Sequence, residues 1–244
     1  MLHNTKGIVL RSVKYGETSL ILSIFTEVLG LQSYMVKGVR SEKAKSKRAG
    51  LLQVTSLLDL VAENKPNRQL QHIKEFQAAY IYQSLQEEII KNSIAVYSVE
   101  LLSRLLPQDE VMSELFHFVY GYFLHLDRVP VREAANLPLF FTMRCGQYFG
   151  YHLSGTCSPE TPYLTPEEGI FTAQLPYSAS TLQEGDGYLL SRMASLEGLA
   201  DAGSVTMNAT QRNRLLDWYL LFLQYHTQHL GKLRSPDILR TILH

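Results

Sequence analysis

Apolar and polar residues alternate with a period of two over the first third of the chain, and with a helical period after that. Residues 5–11 are apolar and rich in β-formers. Residues 18–26 set Leu20, Leu22 and Ile24 on one face and Ile21, Ser23 and Phe25 on the other. Residues 31–36 alternate again, residues 52–61 carry Leu52, Val54, Leu58 and Leu60 at even spacing, and a short return strand falls near 70–73. Tyr15-Gly16-Glu17, Val28-Leu29-Gly30 and Asn64-Lys65-Pro66-Asn67 are turn signals between them. Five short, closely spaced strands predict a small barrel or sandwich over residues 1–75.

From Phe76 the spacing becomes helical. Residues 76–106 read as two helices divided at Asn92-Ser93, residues 111–126 as an aromatic-rich third and residues 132–148 as a fourth. Short connections between them imply a bundle over 76–148. Residues 149–187 differ: glycines and prolines break every apolar run, which marks an inserted loop-rich module. Helical patterns return over 188–244, near 188–199 and 210–230 with Gly231 as a stop, and in a last helix opened by Ser235-Pro236. The expected class is α+β and multidomain, an N-terminal β domain followed by helices.

Composition adds a charge asymmetry. The 244 residues carry 23 Lys+Arg and 23 Asp+Glu, a net charge of zero. Residues 1–75 hold 12 basic and 6 acidic side chains; the remainder holds 11 and 17. Such a split is expected of a basic binding module joined to an acidic body. No apolar run is long enough to span a bilayer, so no membrane is expected as a partner. The N-terminus lacks an apolar signal core and the two cysteines make no disulfide framework, so the expected compartment is the cytoplasm.

Half of the twelve early cations fall in Lys37-Gly38-Val39-Arg40-Ser41-Glu42-Lys43-Ala44-Lys45-Ser46-Lys47-Arg48. Read alone, this is either a solvated loop or a phosphate-binding arm. Beside a small barrel it favours nucleic acid, with Arg11 and Lys14 extending the patch and Tyr15, Phe25 and Tyr34 as stacking candidates. Cys145, His152 and Cys157 invite a metal reading, but zinc needs four N or S ligands and Cys157-Ser158-Pro159-Glu160 has a carboxylate where a paired cysteine belongs. No phosphate-binding glycine loop, nucleophile elbow or histidine–carboxylate set is present, so no catalytic residue and no enzyme are expected.

Gly7-Ile8-Val9-Leu10, Tyr15-Gly16-Glu17 with Ser19, Phe25-Thr26-Glu27, Gly30 and Lys37-Gly38-Val39-Arg40 resemble, in order and spacing, the start of the RecO family of bacterial DNA repair proteins. Leu230-Gly231-Lys232-Leu233-Arg234-Ser235 resembles its ending. The resemblance implies an N-terminal OB-fold barrel and an all-α helical domain carrying a zinc-finger-like module. It implies binding of single- and double-stranded DNA, strand annealing without a nucleotide, and recombination mediation. Its implied partners are RecR, the C-terminal tail of single-strand-binding protein and, indirectly, RecA, in a nucleoid-associated setting.

Under that resemblance Lys37, Arg40, Lys43, Lys45, Lys47 and Arg48 join Arg11, Lys14, Tyr15 and Tyr34 as DNA-binding residues. Arg128, Arg132 and Arg144 become tail contacts by charge alone. Many members carry two C-x2-C pairs; here Cys157 is the remnant of the first, Glu160 replaces its mate, and residues 169–176 hold no cysteine. The module is therefore expected to be degenerate and metal-free, held by aromatic and proline contacts, with no cofactor. A protein-interaction adaptor, with DNA binding secondary, is the alternative function.

Overall fold

In the computed structural model, which describes residues 1–39, 49–66, 68–228 and 230–243, the early alternation closes into a barrel. Its strands are β1 (Leu2–Tyr15), β2 (Ser19–Thr26), β3 (Gly30–Val36), β4 (Leu57–Glu63) and β5 (Gln71–Ala78), in the order β1-β2-β3-β5-β4. β1 serves two neighbours: its first half pairs with β4, from Leu2↔Glu63 to Ile8↔Leu57, and its second half with β2, from Gly7↔Thr26 to Tyr15↔Ser19. A register shift between Val9 and Arg11 bends the strand from one partner toward the other. All pairs are antiparallel except β3 with β5. This is the five-stranded closed barrel expected of an OB-like domain.

The inward-facing positions are those with even spacing in the sequence. Leu20, Leu22, Ile24, Tyr34, Val36, Leu58, Leu60 and Ala62 form the core with Val9 and Leu52. Two short-range expectations fail here. Residues 49–52 form a 3-10 turn (Ala49–Leu52), so β4 starts at Leu57 rather than at residue 52. Residues 76–88 are not helical: Leu60↔Phe76 and Leu58↔Ala78 extend β5, because pairing with β4 outweighs the helical spacing of the apolar residues.

Two compact units result, Met1–Ser84 with Leu105–Asp127, and Leu85–Arg104 with Arg128–His244. The first therefore takes in α2 (Ser113–Arg128) almost entirely, instead of leaving it to a bundle over 76–148. Phe116 of α2 meets Phe25 edge-on with centroids 5.4 Å apart. The Ser113 hydroxyl donates to the Glu27 carbonyl at 3.0 Å, and the Gln32 amide to Asp109 at 2.7 Å. Asp127, 2% exposed, accepts from the Gln83 N–H (3.0 Å), the Ser84 N–H (2.8 Å) and the Tyr80 hydroxyl (2.9 Å), pinning the chain that leaves β5.

The second unit holds α1 (Ile89–Leu105, one helix through Asn92-Ser93), α3 (Leu137–Tyr148), α4 (Glu184–Ala194), α5 (Ala209–His226) and α6 (Ser235–Ile242). α5 ends at His226, five residues before the glycine expected to stop it. The loop-rich stretch contributes only β6 (Tyr163–Leu164) and β7 (Phe171–Thr172). It leans on α5: the Trp218 indole N–H donates to the Ser180 carbonyl at 2.7 Å, Trp218 stacks on Phe222 at 6.1 Å, and His226 Nε2 lies 3.2 Å from the Pro166 carbonyl. Among the described residues, no helix is long and apolar enough to cross a membrane.

Candidate nucleic-acid interface

The strand register assembles one outward face on the barrel. Across β1 and β2 it pairs Arg11↔Ser23, Val13↔Ile21 and Tyr15↔Ser19; across β2 and β3, Ser23↔Ser33 and Ile21↔Met35; across β3 and β5, Met35↔His72. The residues between them, Leu20, Leu22, Tyr34 and Val36, point inward and are buried. A pleated strand alternates its side chains, so the named partners share the outer face.

That face is polar and cationic with small and apolar ground between. Arg11 and Lys37 are exposed on it; Lys14, paired with the inward Leu20, has the opposite parity and is exposed near the end of β1; among the described residues none of the three makes an ion pair. Tyr15, 54% exposed, offers its ring beside the β1–β2 turn. Serines at 19, 23 and 33 keep the middle low. Such a surface can neutralise phosphates with cations and take a base on a ring.

Two other cations of this unit are already paired. Lys6 reaches Asp59 at 2.9 Å and lies 5.6 Å from the Tyr120 ring; the hydrogen bond to Asp59 leads the effects that raise its pKa. The surrounding cleft, about 500 Å³, is lined by Glu27, Asp59 and Glu75. Lys65 is held by Glu63 at 3.1 Å.

Tyr34 is a correction. Its partner across β2 is Leu22, which fixes it on the inner face; it is 0% exposed, and burial pushes its hydroxyl pKa far up. It cannot stack on a base. Phe25 has the outward parity of Ser23, but α2 covers that end of the strand, and it too is 0% exposed. Arg40, Lys43, Lys45, Lys47 and Arg48 lie outside the described residues.

The three arginines of the helical unit separate. Arg144 is committed: it donates to the Gln147 side chain and the Glu197 carbonyl, each at 2.9 Å, and to the Leu196 carbonyl, over the Phe140 ring at 5.3 Å. That set ties α3 to the end of α4 and leaves no free guanidinium face for a tail. Arg128 is exposed, and so is Arg132, whose side chain is 86% exposed beside Glu133 at 3.5 Å.

Cys145 is fully buried in α3, and burial pushes its thiol pKa up. Cys157 is half-buried with its N–H 3.4 Å from the Ser191 hydroxyl, and His152 is exposed. Among the described residues, no three His, Cys, Asp or Glu side chains gather to hold an ion.

Sequence reasoning missed His72 and Lys74, which line a cleft beside Lys37. The alternation predicts a return strand that ends at residue 73 and the spacing from Phe76 is helical, which hides both residues. Both sit on the extended β5.

Comparison with known proteins accords with this architecture. The family model for Recombination protein O N terminal matches residues 1–82, and that for Recombination protein O C terminal matches residues 86–236. A DNA repair protein RecO of Flavobacterium johnsoniae is 29% identical over 98% of both chains, and one of Bacteroides fragilis is 30% identical over 99% of both. With both family models in sequence order and relatives aligned along nearly their whole length, the chain belongs to the RecO family of DNA repair proteins.

Proposed function

We propose that this chain binds single- and double-stranded DNA on the outer face of its barrel together with the basic segment 37–48, and anneals complementary strands. One observation carries the reading: among the described residues Arg11 and Lys37 stand exposed and without an acidic partner on the face that carries Tyr15, with Lys14 exposed next to Tyr15 in β1, whereas Lys6 and Lys65 are neutralised. Cations on phosphates release counterions whatever the sequence, so two strands can be held at once while their base edges stay free to pair. The step is non-enzymatic and uses no nucleotide or metal. In the cell the protein would act at the nucleoid as a mediator, taking the acidic tail of single-strand-binding protein at Arg128 and Arg132, joining RecR, and helping RecA onto coated DNA.

The test is annealing of complementary oligonucleotides, bare and coated with single-strand-binding protein. Faster annealing than without the protein is expected for both. No acceleration in either condition would remove the annealing role, and acceleration only on bare strands would remove the mediator role.

A further inference from the structure

The barrel closes along its parallel seam, where β3 and β5 share only Tyr34↔Gln71 and Met35↔His72. Beside this short pairing lies a cleft of about 390 Å³, lined among others by Met35, Lys37, His72, Ile73, Lys74 and Phe76. Its rim and floor differ in chemistry. Lys37 and Lys74 are exposed, each two residues beyond the Met35↔His72 pair, and His72 also lines the cleft. Among the described residues no carboxylate lines it; Glu63, opposite His72 on β4, is engaged by Lys65 at 3.1 Å and is also within electrostatic reach of Lys74 and His72. Beneath the cations, Ile73 and Phe76 pack against the barrel core and present an apolar floor.

A small anion would use the rim and leave the floor wet. An apolar peptide would use the floor and strand the cations. A nucleotide satisfies both, with phosphate at the rim and base face on the floor, and the volume lies in the range of small-ligand sites. In a duplex that base face is stacked and unavailable, so the site favours a single strand.

We infer that the β3–β5 cleft seats one nucleotide of a single strand, with Lys37 and Lys74 on its flanking phosphates and its base on the floor made by Ile73 and Phe76. This rests on the nucleic-acid reading above and adds where the strand crosses the barrel and why single strands are preferred there.

The experiment compares the full chain with Lys37→Gln/Lys74→Gln, and with Arg192→Gln/Lys232→Gln as a charge-matched control in the helical unit. The probes are an oligo-dT and a duplex of equal length, titrated over a range of salt. For oligo-dT, the cleft variant should lower the slope of log K against log salt by about 1.4, the value for two lost phosphate contacts on a single strand. The control should leave it unchanged, and the duplex should lose less affinity than the single strand. With 5-iodouracil in the oligonucleotide, photocrosslinks should appear in the tryptic peptide 69–74.

An unchanged slope, equal changes in both variants, or crosslinks that form elsewhere but spare 69–74 would overturn the cleft while leaving DNA binding intact. Absence of binding by the unmodified chain would defeat the parent reading and the cleft with it.

Discussion

Where β2 turns into β3, Gly30 adopts φ +68°, and a Cβ there would lie 2.0 Å from the Glu110 carbonyl oxygen. The turn is braced from inside: the Thr26 hydroxyl donates to the Gly30 carbonyl at 2.9 Å and accepts from the Leu29 N–H at 3.1 Å. Gly16, at φ +59°, has nothing within 4 Å of the same position. Gly16→Ala should then cost only the left-handed backbone penalty, about 1 kcal/mol. Gly30→Ala adds a clash with backbone that cannot step aside, and should cost at least about 3 kcal/mol. Urea midpoints compare the two, and equal losses would remove the close approach of residue 110 from the explanation.

Glu100 supplies a second test at this scale. Burial raises its pKa, but the Ser235 hydroxyl and the N–H groups of Arg234 and Ser235, the latter two at 2.9 Å, outweigh that and hold it below the ordinary 4.5. A carboxylate depressed by folding stabilises above its unfolded pKa, and the contribution is lost as pH falls through the folded value. Acidification below 4.5 should therefore cost the unmodified chain more stability than Glu100→Gln, read by thermal melts of the helical unit. Parallel losses would show that the cap of α6 is not proton-linked.

At the scale of elements, α2 decides what the barrel can expose. Its residues Leu115, Phe116, Val119 and Phe123 are buried, and Phe116 covers Phe25. Without it the end of β2 would present aromatic surface. Phe116→Ala should cost about 3–5 kcal/mol, as expected for emptying a large buried aromatic site. A loss under about 1 kcal/mol would mean that the helix is dispensable to the barrel. The pattern 111–126 announced the helix but not its allegiance, because an amphipathic stripe reports that a face is covered and not by what. The extended course of 76–88 was hidden for a related reason: cross-strand pairs to Leu58 and Leu60, and the buried Asp127 bracket, come from residues distant in sequence.

For the whole molecule, folding redistributes the charge asymmetry. The barrel unit gains Asp109, Glu110, Glu114 and Asp127 with no Lys or Arg, so its 12 basic side chains face 10 acidic ones; the helical unit has 11 against 13. Neither unit is strongly charged as a body. What remains is local: a cationic outer face, the segment 37–48, and an acidic cleft around Lys6. Changing Lys43, Lys45, Lys47 and Arg48 together to Ala should weaken DNA binding alike for all sequences and reduce the single-strand salt slope by about 3. An unaltered slope would take the segment out of the binding reaction and leave the barrel face alone.

The chain by itself determined the strand-rich start, the helical remainder, the turn glycines and the concentration of cations at 37–48, because periodicity, turn chemistry and local charge depend on near neighbours. It also carried enough separated motifs to point to the RecO family. Only the tertiary structure decided that Tyr34 faces the core, that Phe25 lies under a helix, that Arg144 is spent on backbone carbonyls, and that His72 and Lys74 share a cleft with Lys37. Each of these depends on which distant segment occupies a face, and alternation along a strand fixes two faces without saying which of them another part of the chain will cover.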